Sequence, residues 1–321
     1  MVGDARGKMV MLRVALLLMT IPMFSLASAA TPIVRYRGYS INWSGYAIVV
    51  GGQTVTTVSG NKYWGSSQAN PIYPYTVSYV YGEWIVPAIG AGTTGYIADV
   101  SVWIGIDGYD SGTVEQIGTS SEYNPSTGGI TYSAWWEVYP KFSHRISAMK
   151  VNPGDHIAAY VKFIPTGRSQ KIPDRGLFVL SLTDLTTGKS FTIVQGPLEP
   201  GLYLRSSAEW VVERAAFYNP STKQAYFAEL PQFTSPIVFT NCHATIAGPA
   251  VAPVHYDRMW MTAPIPSGYG YADAYGTSST RYIIAKTNPR TGDLITGGAF
   301  SVKWVPFGTE PSVPWPGSTP E

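Results

Sequence analysis

The 321 residues are 45% hydrophobic with a formal net charge of +2, which excludes a largely disordered chain and allows one large all-β domain or two smaller ones. No Lys/Arg run is present, so neither a nucleic-acid footprint nor a basic membrane patch is indicated. Charged residues make up only 13%, about half the usual share, so the surface depends little on ionised carboxylates and suits an acidic setting.

At the N-terminus, Arg6, Lys8 and Arg13 precede an apolar run from Val14 to Leu26 and then Ala27-Ser28-Ala29. This is the layout of a secretory signal, expected over residues 1–29, and the run is too short to span a bilayer comfortably. A secreted, extracellular protein without membrane attachment after cleavage is expected, with residues 30–41 as a short N-terminal segment. The core domain is expected over 42–307.

Within that domain, short runs rich in Val, Ile, Tyr, Trp and Thr alternate with Gly, Pro, Asn and Asp: AIVVGG, YVYGEWIVP, ADVSVWIGIDG, ITYSAWWEVYP, HIAAYVKFIP, AEWVVE and PIVFTN. LTDLTTGKSFT reads as a hairpin turning at Thr187-Gly188. No long helical period appears, and strands at this density predict an antiparallel sandwich or barrel. Residues 264–282, rich in Gly, Tyr and Ser, read as a long surface loop, and the Pro-rich segment 308–321 as a disordered tail.

Cys242 is the single cysteine, so no intrachain disulfide can form; on a strand it faces away from His243, which points to a buried, inert thiol. The four histidines show no metal-ligand spacing, and no GxSxG elbow, Walker loop or helix-opening GxGxxG occurs, so no metal or cofactor is expected.

What recurs is a strand with one apolar face and one face carrying carboxylates beside aromatics. In SVWIGIDG, Val102, Ile104 and Ile106 oppose Ser101, Trp103, Gly105 and Asp107. In YSAWWEVYP, Tyr132, Ala134, Trp136 and Val138 oppose Ser133, Trp135, Glu137 and Tyr139. In SAEWVVE, Ala208, Trp210 and Val212 oppose Ser207, Glu209, Val211 and Glu213. Such a face is either washed by solvent or lines a cleft able to grip an extended polymer. A carbohydrate-binding lectin-like module fits this pattern, as does a glycoside hydrolase using Glu137 and Glu209 as its carboxylate pair.

The motifs NWSGY (42–46), GEWIVP (82–87), SVWIGIDG (101–108), VEQIG (114–118), YSAWWEVYP (132–140), GDHI (154–157), SAEWVVE (207–213) and FTN (239–241) occur in the order seen in the glutamic peptidases, or eqolisins, and the chain resembles that family. The resemblance implies a concanavalin-like β-sandwich of two bent antiparallel sheets with a concave substrate cleft. It implies a Gln/Glu catalytic dyad, here Gln116 and Glu209, acting on protein or peptide substrates. Trp103, Asp107, Glu137 and Tyr139 fall on positions that line the family's active site, and Trp135 shares their strand face. A monomer is expected. The sequon Asn42-Trp43-Ser44 leaves glycosylation at Asn42 open.

Overall fold

The structure, a computed structural model, describes residues 13–14, 36–50, 75–109, 113–169, 172–196, 203–219, 224–248, 254–264, 280–314 and 318–320. Nearly all of the expected signal peptide and most of the expected 264–282 loop lie outside the described residues. Among the described residues the regular structure is strand alone, so no helix is long and apolar enough to cross a membrane.

Two sheets form a sandwich. In the first, the order across the sheet is Val254–Ala263, Trp43–Val50, Ser207–Glu213, Ala98–Ile106, Val114–Asn124 and Gly129–Tyr139, each pair antiparallel. Tyr36–Ser40 adds a parallel strand beside Val254–Ala263. In the second, the order is Lys189–Gln195, Ile172–Asp184, His156–Ser169, Thr76–Ile85, Ile237–Ala247 and Thr296–Trp304. Thr280–Thr287 pairs with Val254–Ala263 on one side and Thr296–Trp304 on the other, joining the two sheets along one edge. Their far edges, Gly129–Tyr139 with the short His144–Arg145 strand and Lys189–Gln195, do not pair with each other, so the layers remain a sandwich and not a closed barrel.

The core lies between the layers. Ile48, Val102, Ile104, Ile117, Ala134, Trp210 and Val212 from the first sheet meet Val80, Trp84, Ile157, Val161, Phe178, Leu180 and Phe239 from the second. Most of these are β-branched or aromatic side chains at alternate positions, the pattern that suits a pleated, buried surface. Trp210 shows how tight the contact is: its indole N–H donates to the Tyr81 carbonyl across the sandwich at 2.8 Å. Gly82 is a glycine because an added Cβ would sit 2.7 Å from the Trp210 ring. The GEW and AEW motifs are thus two halves of one contact.

Three other motifs meet on the outer side of the second sheet. Glu83 of GEWIVP accepts from Tyr81 Oη (2.6 Å), from Asn241 Nδ2 of FTN (2.9 Å), and pairs with His156 of GDHI (2.9 Å). The bonds tie together three neighbouring strands where the ladder of Ile237–Ala247 shifts register. His243 stacks on Tyr81 while Cys242, its neighbour, is buried in the core, as alternation requires.

Two expectations are corrected. The Gly/Tyr/Ser-rich loop does not extend to 282, because Thr280–Thr287 is a strand and the buried Arg281 guanidinium donates to the Thr262 hydroxyl and carbonyl. The tail is not disordered from residue 308: Glu310 pairs with Lys286 at 3.1 Å, and Val313 packs with Tyr39, Trp260, Ile283 and Val305. The ion pair, the packing of Val313 and its pairing with Arg281 together anchor the segment.

Candidate active site

The register of the first sheet decides which side chains meet. Cross-strand partners share a face, and a lateral row runs Ala47, Glu209, Gly105, Gln116, Glu137. Gly105 is therefore the direct partner of both Glu209 and Gln116. Having no side chain, it leaves the two to face each other across two strand spacings, about 9–10 Å at the backbone. The next row on the same face is Gly45, Val211, Trp103, Gly118, Trp135. The third is Trp43, Glu213, Ser101, Ser120, Ser133.

Packing confirms the faces read from alternation. Val102, Ile104, Ile106, Ala208 and Val212 lie in the central core, whereas Trp43, Trp103, Val114, Trp135, Val211 and Met259 form a second cluster on the opposite side, with Tyr109 and Tyr139 against it. That second face is not washed by solvent: Gln116 is 0% exposed, and Glu209 and Glu137 are each 1% exposed. Of the expected site residues only Tyr139 is half-buried; Trp103, Asp107 and Trp135 are fully buried.

Each polar group has a definite setting. Ser207 Oγ donates to Glu209 Oε1 at 2.6 Å. Gln116 Nε2 donates to Glu137 Oε2 at 2.7 Å, which fixes the amide orientation and leaves its second N–H uncommitted to Glu137. Asp107 lies outside the row, in the left-handed region with φ 64°, where an Asp is tolerated. Its carboxylate accepts the backbone N–H groups of Arg205 (2.7 Å) and Ser206 (2.9 Å), so it clamps the segment that leads into the Glu209 strand. Trp135 and Tyr139 pack around Trp103.

Sequence reasoning gave no role to four residues that the structure brings in. Ser207, next but one to Glu209 on its strand face, is a donor that alternation could have flagged. Glu213 accepts from Trp103 Nε1 (2.8 Å) and Asn42 Nδ2 (2.7 Å), and burial pushes its carboxyl up to about 7 despite those two bonds, with Asp99 adding to the rise. Asn42, read only as a sequon, is buried with its amide committed to Glu213, so it is not a glycan acceptor in the folded protein. Glu115 pairs with Ile106 and Val138 on the core face, fully buried, with no hydrogen-bond partner for either carboxyl oxygen among the described residues. Burial, with Asp107 and Glu209 nearby, raises it well above the usual carboxylate range. Among the described residues, no group of three or more His, Cys, Asp or Glu is placed to hold a metal ion.

A family model, the Peptidase A4 family, matches residues 61–263. The chain belongs to the Peptidase A4 family. It is a peptidase, as the sequence resemblance implied, and the matched segment contains every one of the expected site residues. Aspergillopepsin-2 of Aspergillus niger is 26% identical over 234 residues, 67% of this chain and 68% of its own length. Scytalidopepsin B of Scytalidium lignicola is 28% identical over 167 residues, 52% of this chain and 58% of its own length. The crystal structure of scytalido-glutamic peptidase with a transition state analog inhibitor has 18% identity, covers 83% of this chain and 98% of that one, and gives a TM-score of 0.54, which bears on the fold alone.

Proposed function

We propose that this peptidase is a secreted acid endopeptidase in which Glu209 and Gln116 form the catalytic pair. The observation that carries the reading is their placement as the two register partners of Gly105, on one buried face, with Glu137 holding the Gln116 amide. In this mechanism the ionised Glu209 takes a proton from a water, whose oxygen bonds to the peptide carbonyl carbon. The developing oxyanion accepts the second N–H of Gln116, an amide donor whose charge acid does not alter. When the C–N bond breaks, Glu209 returns the proton to the leaving nitrogen. The Ser207 hydroxyl supports the charged form of Glu209 through both steps.

Burial of the pair strengthens each of these interactions, because the same donor stabilises developing charge more in a low dielectric than in bulk water. Protein or peptide chains are the substrates in this reading. The cluster of Trp43, Trp103, Trp135, Tyr109 and Met259 offers apolar contacts beside the pair.

The test is hydrolysis of a denatured protein from about pH 2 to about pH 8 in the presence of an aspartic-protease inhibitor and a chelator. Cleavage on the acid side that survives both additives supports the reading. Cleavage confined to neutral pH, or abolished by either additive, would overturn the acid Gln/Glu reading.

A further inference from the structure

The Trp103 indole spans the three rows of the site. Its N–H lies at the Glu213 row, while Cζ3, on the far edge of the ring, lies 3.2 Å from the point where a Cβ on Gly105 would stand. Gly118, the cross-strand partner of Trp103, lets the two strands approach closely, because a Cβ built there would stand only 2.5 Å from Trp103 Cβ. The benzo edge of the indole therefore lies against Gly105, at the floor of the space between Glu209 and Gln116.

What holds the other end is a buried polar chain. Glu213 Oε2 accepts from Trp103, Glu213 Oε1 accepts from Asn42, and Asn42 Oδ1 accepts from Ser40 Oγ at 3.1 Å. All of these residues are buried. A carboxyl in this setting costs folding energy that an apolar side chain of similar size would not, so stability alone does not account for it.

We propose that Glu213 is a positioning residue: with Asn42 behind it, it locks the Trp103 indole over Gly105 and so keeps Glu209 and Gln116 at their working separation. This rests on the reading of Glu209 and Gln116 as the catalytic pair. Without the anchor, the ring is free to tilt and either side chain can relax into the gap. Misplacements of this kind cost rate more than binding.

The chemistry separates this role from a merely structural one. A glutamine at 213 can still accept from Trp103 through its carbonyl, and its NH2 can donate to Asn42 once the Asn42 amide turns over, with Ser40 then accepting. A leucine fills much of the same volume and can do neither. Glu213→Gln is therefore expected to keep kcat within about 3-fold of the parent, whereas Glu213→Leu lowers kcat about 10- to 100-fold with KM little changed.

Trp103→Phe removes the N–H and should give a similar loss. Combined with Glu213→Leu it should add little, because both changes break the same link. Each variant is checked for a cooperative unfolding transition, and the near-UV circular dichroism lost in Trp103→Phe should also be altered in Glu213→Leu but not in Glu213→Gln. A folded Glu213→Leu with parental kcat, or losses that multiply in the double variant, overturns the proposal. Glu209→Gln and Gln116→Ala are assayed alongside: if both stay active the catalytic-pair reading fails, while the spectroscopic comparison still reports whether Glu213 holds Trp103.

Discussion

Glu213 makes the stability of this protein depend on pH in a direction that can be worked out. Its carboxyl sits at about 7 in the folded chain against an ordinary value of 4.5, chiefly because it is buried. The folded state thus binds the proton more tightly than the unfolded one. The associated stability is fully present below the unfolded value and is lost as pH rises through the folded one. The interval of about 2.5 pH units corresponds to about 3 kcal/mol at 1.36 kcal/mol per unit.

Glu115 acts in the same direction. Urea unfolding at about pH 4 and about pH 8 should therefore show the parent losing stability at the higher pH. In Glu213→Gln the difference between the two conditions should shrink by about 3 kcal/mol, roughly 6–10 °C in Tm. Any intrinsic cost of the amide cancels in this comparison, because the amide does not titrate. Equal pH dependence in parent and variant would refute the reasoning.

Other consequences follow from particular contacts. Truncating Trp210, fully buried and bonded to the Tyr81 carbonyl, to alanine is expected to cost about 3–5 kcal/mol in denaturant unfolding. Glu83→Ala removes the shared acceptor of Tyr81, Asn241 and His156 and should destabilise by about 1–3 kcal/mol while leaving kcat unaltered, because the cluster lies on the other sheet. Glu137→Ala frees the Gln116 amide and should lower kcat by about 10²-fold at normal folded content. Cys242, buried with its thiol pushed up by burial, should resist a thiol-specific reagent until the protein is unfolded.

Alternation alone exposed much of this site. Along Ala98–Ile106, Gly129–Tyr139 and Ser207–Glu213 the two faces differ in chemistry, so core and site could be sorted from the chain itself. Register could not be sorted in this way. That Gly105 lies between Glu209 and Gln116 depends on one pairing between neighbouring strands and one between strands about a hundred residues apart in sequence, and a one-residue slip in either would turn every side chain over. Glu115 shows the same limit. Its neighbour Gln116 drew the chemistry, yet alternation puts Glu115 among Ile106 and Val138, where burial and not the motif determines its protonation. Asn42 resembled a surface sequon because its partner, Glu213, is 171 residues away. The packing of Val313 was hidden by the proline-rich sequence around it.

The most direct test of the account measures kcat/KM on a protein substrate at acid pH for the parent, Glu209→Gln and Gln116→Ala, each verified as folded. The account predicts a fall of at least about 10²-fold for each substitution, from loss of the base and of the oxyanion donor respectively. Parental activity in either variant would contradict it.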